Sequence, residues 1–366
     1  MKLETSREAL LKPLQQVIGA VERRQTLPAL GNVLLSADES GLTVTATDLE
    51  VELRAEADVT VAQPGETTVT ARKLLDICRT LPAGANVEMA LNGEQVQLRS
   101  GRSRFTLATL PASEFPRVDD VQAQVEFELP QRDLKRGIEA IAFAMAQQDV
   151  RYYLNGLLFE LAGDRLRTVA TDGHRLSLCE SPAALPDAQG LQVIVPRKGV
   201  NELARLLEDG EAPVQVRVGT SHIQASMAGL RFTSKLIDGR FPDYKRVVPE
   251  ETTRSLKVDR EVLRQALART AILSNEKYKG VRLSMSEGAL KIQTHNPDQE
   301  EAEEELEVEF AGDELEIGFN VVYLLDILAS LGSEEVRIGF NDANSSCLVT
   351  EAESGATRHV VMPMRL

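Results

Sequence analysis

At 366 residues with 43% hydrophobic side chains, the chain is long enough for two or three domains, each with an ordinary core. MKLETSREALLKP at the start lacks an apolar run, no 18 uncharged apolar residues follow one another, and Cys78, Cys179 and Cys347 are too far apart for a disulfide framework or zinc site. Export, membrane insertion and a bound metal are therefore not expected, and a reducing cytoplasm is. A net charge of -15 argues, as a bulk number, against phosphate binding, so the distribution of charge has to decide.

Ser6 precedes the amphipathic run REALLKPLQQV, which predicts a helix over 6–24 that Pro13 should kink or delay. LTVTAT, QVQLRS and SRFTLATL alternate as half-buried strands, with a second helix over 71–81 between the first two. The polar stretch VDDVQAQVE sets a boundary near 125. Pro130 then opens a helix over 130–148, and a further helix falls at 197–209. PEETTRS sets a second boundary near 250, followed by helices over 259–279, opened by Asp259, and 320–331.

These elements repeat. TATD ending at Asp48 returns as VATD ending at Asp172, and QTHN places Asn296 a further equal step of 124 residues on. Ala71-Arg72-Lys73 before a helix matches Pro196-Arg197-Lys198 and, more weakly, Gly318-Phe319-Asn320; Phe115-Pro116 matches Phe241-Pro242. Three domains, 1–125, 126–250 and 251–366, each roughly βαβββ twice over, are the expected organisation.

The three opening helices carry +2, +1 and +2 and the three second helices +2, 0 and -1, a total of +6 that leaves -21 for everything else. On any single helix this is an ordinary solvated face. Repeated in three related domains, it predicts one mildly basic surface in an acidic protein. Six helices side by side at about 9 Å enclose no useful space, whereas twelve leave about 24 Å of clearance, just above the width of a nucleic-acid duplex. Two chains would be the minimum.

QDVRYYLNG (148–156), TVATDGHRL (168–176), VPRKGV (195–200), DGRFPDY (238–244), AILSNEK (271–277) and VVMPMRL (360–366), with LLKPLQQV, TLPALGN, ARKLLDICR and SGRSRF earlier, resemble the bacterial DNA sliding clamps, the β subunit of DNA polymerase III. The resemblance spans the chain. It implies an α+β DNA clamp fold: three repeated domains, each with two helices lining a ring and antiparallel sheets outside, in a dimer that closes a six-domain ring. It implies a non-catalytic processivity factor that encircles duplex DNA without reading sequence, needs no cofactor, and tethers the polymerase III catalytic subunit, clamp loader, other polymerases and repair proteins by short peptides.

By the same resemblance the peptide pocket comprises Leu154, Thr171, Gly173, His174, Arg175, Leu176, Pro242, Arg246, Val247, Val360, Val361, Met362, Pro363, Met364, Arg365 and Leu366, with Asn320, Tyr323 and Ser346 in an adjoining sub-site. Aliphatic and thioether groups suit Leu- or Phe-type anchors, and Arg175, Arg246 and Arg365 would hold polar groups at the rim. Taken alone, His174 also reads as a turn histidine and the terminal MPM as core. Ring closure is expected between an edge strand over 102–107 and the third domain of the other chain. There Phe105 and Leu107 would meet Ile272 and Leu273, and Lys73, Arg102 and Arg104 would face Asp298, Glu300, Glu301, Glu303 and Glu304. Expected DNA contacts are Arg24, Arg72, Lys73, Arg79, Gln148, Tyr152, Tyr153, Arg197 and Lys198; Tyr152 and Tyr153 are equally readable as core or pocket residues.

Enzymes fit poorly. The chain has no G-x-x-x-x-G-K-[ST], G-x-G-x-x-G after a strand, H-E-x-x-H or G-x-S-x-G, and His174, His222, His295 and His359 stand apart from the cysteines. A carboxylate-only hydrolase remains open by sequence, as does a sequence-specific DNA regulator, which would need a base-reading helix or zinc module.

Overall fold

A computed structural model of the chain describes residues 1–22, 27–183, 189–352 and 355–365. The chain forms two compact units, residues 1–132 with 198–236, and residues 133–197 with 237–366. No described helix is long and apolar enough to cross a membrane.

Six α-helices are present among the described residues: α1 (Arg7–Val17), α2 (Ala71–Thr80), α3 (Gln131–Glu139), α4 (Arg197–Leu206), α5 (Arg260–Ala271) and α6 (Val321–Ser330). Their starts follow local chemistry. Ser6 caps α1 by accepting from Ala9 N at 3.1 Å, Asp259 caps α5 through Val262 N at 2.8 Å, and Asn320 caps α6 through Val322 N at 2.9 Å. On α2 the buried residues are Ala71, Leu74, Leu75 and Cys78, the spacing of one helical face.

The ends of α1 and α3 correct the sequence expectation, because tertiary contacts set them. Pro13 neither delays nor interrupts α1, which starts at Arg7 and runs through it with the ring buried. It stops at Val17, where Arg205 of α4 donates to Gln16 O at 2.7 Å and so supplies a cation to the terminal carbonyls. α3 ends nine residues before 148, because Thr168 Oγ1 donates to Gly137 O at 2.7 Å and the following turn tightens to a 3-10 helix at Ala142–Ala144.

In the first unit one antiparallel sheet of thirteen strands runs from an edge at Val125–Pro130 to the opposite edge at Thr60–Gln63. The strand Ser103–Leu110 pairs along its length with Gln95–Ser100. On its other side it pairs only through Thr109 and Leu110, so residues 103–108 present an open edge among the described residues. The second unit holds a nine-stranded sheet and a four-stranded sheet, the latter ending in the acidic strand Glu301–Glu307, which pairs on one side only among the described residues. Between α5, α6 and these sheets lies a core of Leu263, Leu267, Leu283, Ile292, Phe319 and Leu324 among others, each worth about 1.5–3 kcal/mol of burial.

The 124-residue repeat reappears as hydrogen-bonded turns. Asp48 Oδ1 accepts from Glu50 N and Val51 N at 2.9 and 2.7 Å; Asp172 Oδ1 accepts from His174 N and Arg175 N at 2.9 and 3.0 Å. Asn296 Oδ1 accepts from Asp298 N and Glu300 N at 3.0 and 3.1 Å, in a turn one residue longer. Each turn contains one residue of positive φ, namely Leu49 (78°), Gly173 (89°) and Gln299 (64°).

Candidate functional site: an apolar cleft beside the second turn

The second of these turns walls a cleft of about 180 Å³ whose lining includes Tyr153, Leu154, Leu176, Tyr244, Val360 and Met362. Thr171 Oγ1 donates to Arg175 O at 2.6 Å and accepts from Gly173 N at 3.1 Å, which fixes the turn. Gly173 is required twice over: its φ is left-handed, and a Cβ there would stand 2.8 Å from Arg151 Nη1. Arg151 is itself held by both oxygens of Asp149 at 3.0 and 2.9 Å, and the bonds from that guanidinium pull the Asp149 carboxyl down to about 2.

The floor combines apolar strand faces with one anchored phenol. Leu158, Val169, Leu176, Leu178, Ile194, Phe241 and Val360 pack as one cluster with Tyr244. Tyr244 Oη donates to Glu160 Oε2 at 2.5 Å and accepts from Arg167 Nη1 at 3.0 Å, while Lys245 Nζ lies 2.9 Å from Glu160 Oε1. Burial, reinforced by Glu160, pushes the phenol far above its ordinary range. Burial works to raise Glu160 as well, but the bonds from Tyr244 and Lys245 outweigh it and hold the carboxyl low. The polar atoms beneath the floor are thus matched, and its upper surface is left apolar. Met362, 42% exposed, closes one side, with its N–H donating to His174 O at 3.0 Å.

Of the residues expected in the pocket, Leu154, Thr171, Gly173, His174, Arg175, Leu176, Pro242, Val247, Val360 and Met362 line this cleft. The Arg175 guanidinium reaches Asp172 at 3.1 Å, Asp326 at 2.6 Å and Phe143 O at 2.9 Å and lies over the Tyr323 ring at 4.6 Å, so each of its three nitrogens already has a partner within the protein. Tyr323 stacks on His174 with 6.5 Å between centroids, and Asn320 acts as the α6 cap. Arg246 points into solvent, 86% exposed and 2.8 Å from Asp243. Val361 is fully buried in the neighbouring core, because strand alternation turns it away from the Val360 face. Met364 and Arg365 line a separate, wider cavity beside His295 and Asn296; Pro363 and Ser346 line neither, and Leu366 lies outside the described residues.

Two residues of the cleft, Arg151 and Tyr244, have no place among those expected, and Tyr153, expected on DNA or in the pocket, lines the cleft. The YYL spacing carries the signal for Tyr153: the 3-10 turn Tyr152–Leu154 sends Tyr152 outward, 57% exposed, and turns Tyr153 and Leu154 into the cleft. Gln148, at positive φ (54°), and Val150, 95% exposed, sit on the same projecting loop.

The helix charges keep their sign except on α4, expected at 0, whose earlier end leaves Glu208 and Asp209 outside it. With the observed ends, α1 to α6 carry +1, +2, +1, +2, +2 and -1. Many of these cations are engaged: Arg197 donates to Met145 O at 2.9 Å, Lys198 pairs with the buried Asp48, and Arg79 lies 3.8 Å from Asp76. Burial, then the charge of Arg175, lowers the Arg197 pKa. Arg197 and Lys198, both expected on DNA, thus already have protein partners. Arg72 and Lys73 are exposed and have no ion pair among the described residues; Arg24 lies outside the described residues.

At the open edges, Ile272 is 77% exposed and Leu273 half-buried, while Phe105 is half-buried. Leu107 is not available as expected: it shares the inward parity of Phe105 and is 8% exposed, opposite Val96. Arg102 and Arg104 are exposed, as are Asp298, Glu300 and Glu301; Glu303 and Glu304 already pair with Lys291 at 3.0 Å and Arg269 at 2.6 Å.

Three family models cover nearly the whole chain: the DNA polymerase III beta subunit N-terminal domain over residues 1–119, its central domain over 128–243 and its C-terminal domain over 245–365. The chain is 55% identical over 369 residues to the beta sliding clamp of Escherichia coli (strain K12) and 54% identical over 367 residues to that of Pseudomonas aeruginosa, with both partners covered in full. A crystal structure of a Pseudomonas aeruginosa sliding clamp bound to griselimycin matches with a TM-score of 0.97 at 54% identity. Caulobacter crescentus pol III beta matches with 0.94 at 38%, each covered over 100% of both chains.

Proposed function

The chain belongs to the DNA polymerase III beta subunit family, the beta sliding clamps, and on that premise we propose that it is the processivity factor of a bacterial replicative polymerase. Two chains close a ring of six domains around duplex DNA. The ring holds DNA by enclosure and not by chemistry, so no catalytic group is required. Twelve helices leave about 24 Å, enough for a duplex to slide without base contacts. An acidic exterior with a weakly basic set of helices suits this: tight phosphate pairing would slow sliding, and a negative outside discourages DNA from binding anywhere else.

The domain boundaries fall near 125 and 250, and the protein works in the cytoplasm. Client peptides from the polymerase III catalytic subunit, clamp loader, other polymerases and repair proteins occupy the apolar cleft, with Leu176, Val360 and Tyr244 receiving Leu- or Phe-type anchors. The dimer closes by setting the open edge at residues 103–108 beside the acidic strand Glu301–Glu307 of the partner, Ile272 and Leu273 covering Phe105. Arg102, Arg104 and Lys73 meet Asp298, Glu300 and Glu301 there. Arg72, Lys73, Arg79, Gln148 and Tyr152 contact the duplex.

The observation that carries the role is similarity over the full length of all three domains, together with the preformed cleft. Primer extension on a long primed circle, with polymerase III core and clamp loader present, tests it. Added protein should lengthen the products of a single binding event severalfold; products of unchanged length would overturn the role.

A further inference from the structure

The first turn of the repeat also borders a cleft, about 480 Å³, lined by Leu49, Pro116, Val118, His222 and Lys235 among others. Its frame is that of the client cleft. Thr47 Oγ1 donates to Val51 O at 2.9 Å and accepts from Leu49 N at 3.1 Å, as Thr171 does with Arg175 O and Gly173 N. The strand that leaves the turn pairs with the same kind of partner: Glu52 lies opposite Thr233 where Leu176 lies opposite Val360.

The side chains on that frame differ in kind. The repeat step of 124 residues places Glu52 and Arg54 where the client cleft has Leu176 and Leu178. Glu52 is 2% exposed; its carboxylate accepts from Arg54 Nε at 2.7 Å and from Val118 N at 3.0 Å, and Arg54 Nη2 donates to Val118 O at 3.2 Å. The pair thereby fastens the segment after Phe115-Pro116 onto the strand. In the client cleft the corresponding segment forms the turn Tyr244–Arg246 and leaves apolar space above it.

We infer that Glu52 and Arg54 are specificity determinants that close the first copy of the cleft to apolar anchors and restrict each chain to one client peptide. Neither residue lines the first cleft itself; bonded to Val118, they leave it without the apolar floor that Leu176 and Val360 supply in the client cleft, so an anchor seated there gains little apolar burial. Exchanging both members for leucine removes the charges together and leaves neither orphaned.

The inference rests on reading the second cleft as the client site, and the test keeps the two apart. Calorimetric titration of the full-length protein with a synthetic hexapeptide ending Leu-Phe should give one site per chain. Glu52→Leu with Arg54→Leu should give two, the new one weaker by about tenfold. The reverse exchange, Leu176→Glu with Leu178→Arg, should give none, and it serves also if the first variant fails to fold. Wild type at zero would defeat the reading of the second cleft. The reverse exchange still at one would defeat that reading as well, whereas wild type at one with the leucine variant still at one, or wild type at two, would overturn the inference alone.

Discussion

The apolar cleft and the exposed face of α2 are built in opposite ways. In the cleft, binding groups are fixed before a partner arrives: Tyr244 is bonded to Glu160 and Arg167, Arg175 is held by Asp172 and Asp326, and Leu176 and Val360 form an apolar floor. On α2, Arg72 and Lys73 stand in solvent without a carboxylate partner among the described residues, and Arg79 is loosely paired. The first arrangement concentrates affinity in a few buried contacts. The second spreads it over mobile charges that salt can screen. A ring that must grip proteins and let DNA slide needs both.

The largest effect should follow a charge placed in the cleft. Val247→Asp is expected to weaken client-peptide binding by about 100-fold or more, roughly 3 kcal/mol for an unpaired carboxylate covered by the peptide, with the dimer unchanged in sedimentation. Unaltered affinity would remove the cleft as the client site. Next comes the ring joint, where Ile272→Ala with Leu273→Ala should raise the dimer dissociation constant by about ten- to a hundredfold through reduced apolar burial, seen as monomers at micromolar concentration. A dimer as tight as wild type would place the joint elsewhere.

His359, on the strand that backs the cleft, gives a pH effect of intermediate size. It is fully buried, Nδ1 lies 2.8 Å from Ser177 Oγ, and burial drives its pKa to about 3. The unfolded chain takes up this proton near pH 6.5 and the folded chain does not until about 3. Stability is therefore complete above 6.5 and falls below it at up to about 1.4 kcal/mol per pH unit. Urea titrations of wild type and His359→Gln between pH 7.5 and 5 should show a shallower decline in the variant; parallel declines would assign the acid sensitivity to other groups. The smallest change belongs to α2. Arg72→Ala with Lys73→Ala should lower DNA affinity only severalfold and flatten the logarithmic salt dependence by about 0.9 for each phosphate no longer neutralised, measured by anisotropy across a salt series.

Much of the architecture is legible in the sequence because it is periodic. Asp48, Asp172 and Asn296 stand at equal steps; the first two make the same turn and the third a turn one residue longer, and the helix starts at Ser6 and Asp259 are local capping chemistry. What escapes is what distant residues decide. Thr168 ends α3, Arg205 ends α1, Asp326 occupies Arg175, and Asp48 neutralises Lys198, in each case from a position no local pattern connects. The cleft is legible in its Thr171–Leu176 and Val360–Met362 parts only through family likeness, since 184 residues separate Leu176 from Val360. Val361 shows the limit of such transfer: one step along a strand exchanges cleft for core.

Encirclement is the central claim, and retention on DNA tests it most directly. After loading by the clamp loader on a nicked circle, the protein should co-elute with the DNA through a gel-filtration column in about 0.5 M salt, where phosphate contacts are screened to about a 4 Å Debye length. Cutting the circle once should release it within minutes. Equal retention on cut and uncut DNA would mean that the protein is held by surface contacts and not by a closed ring.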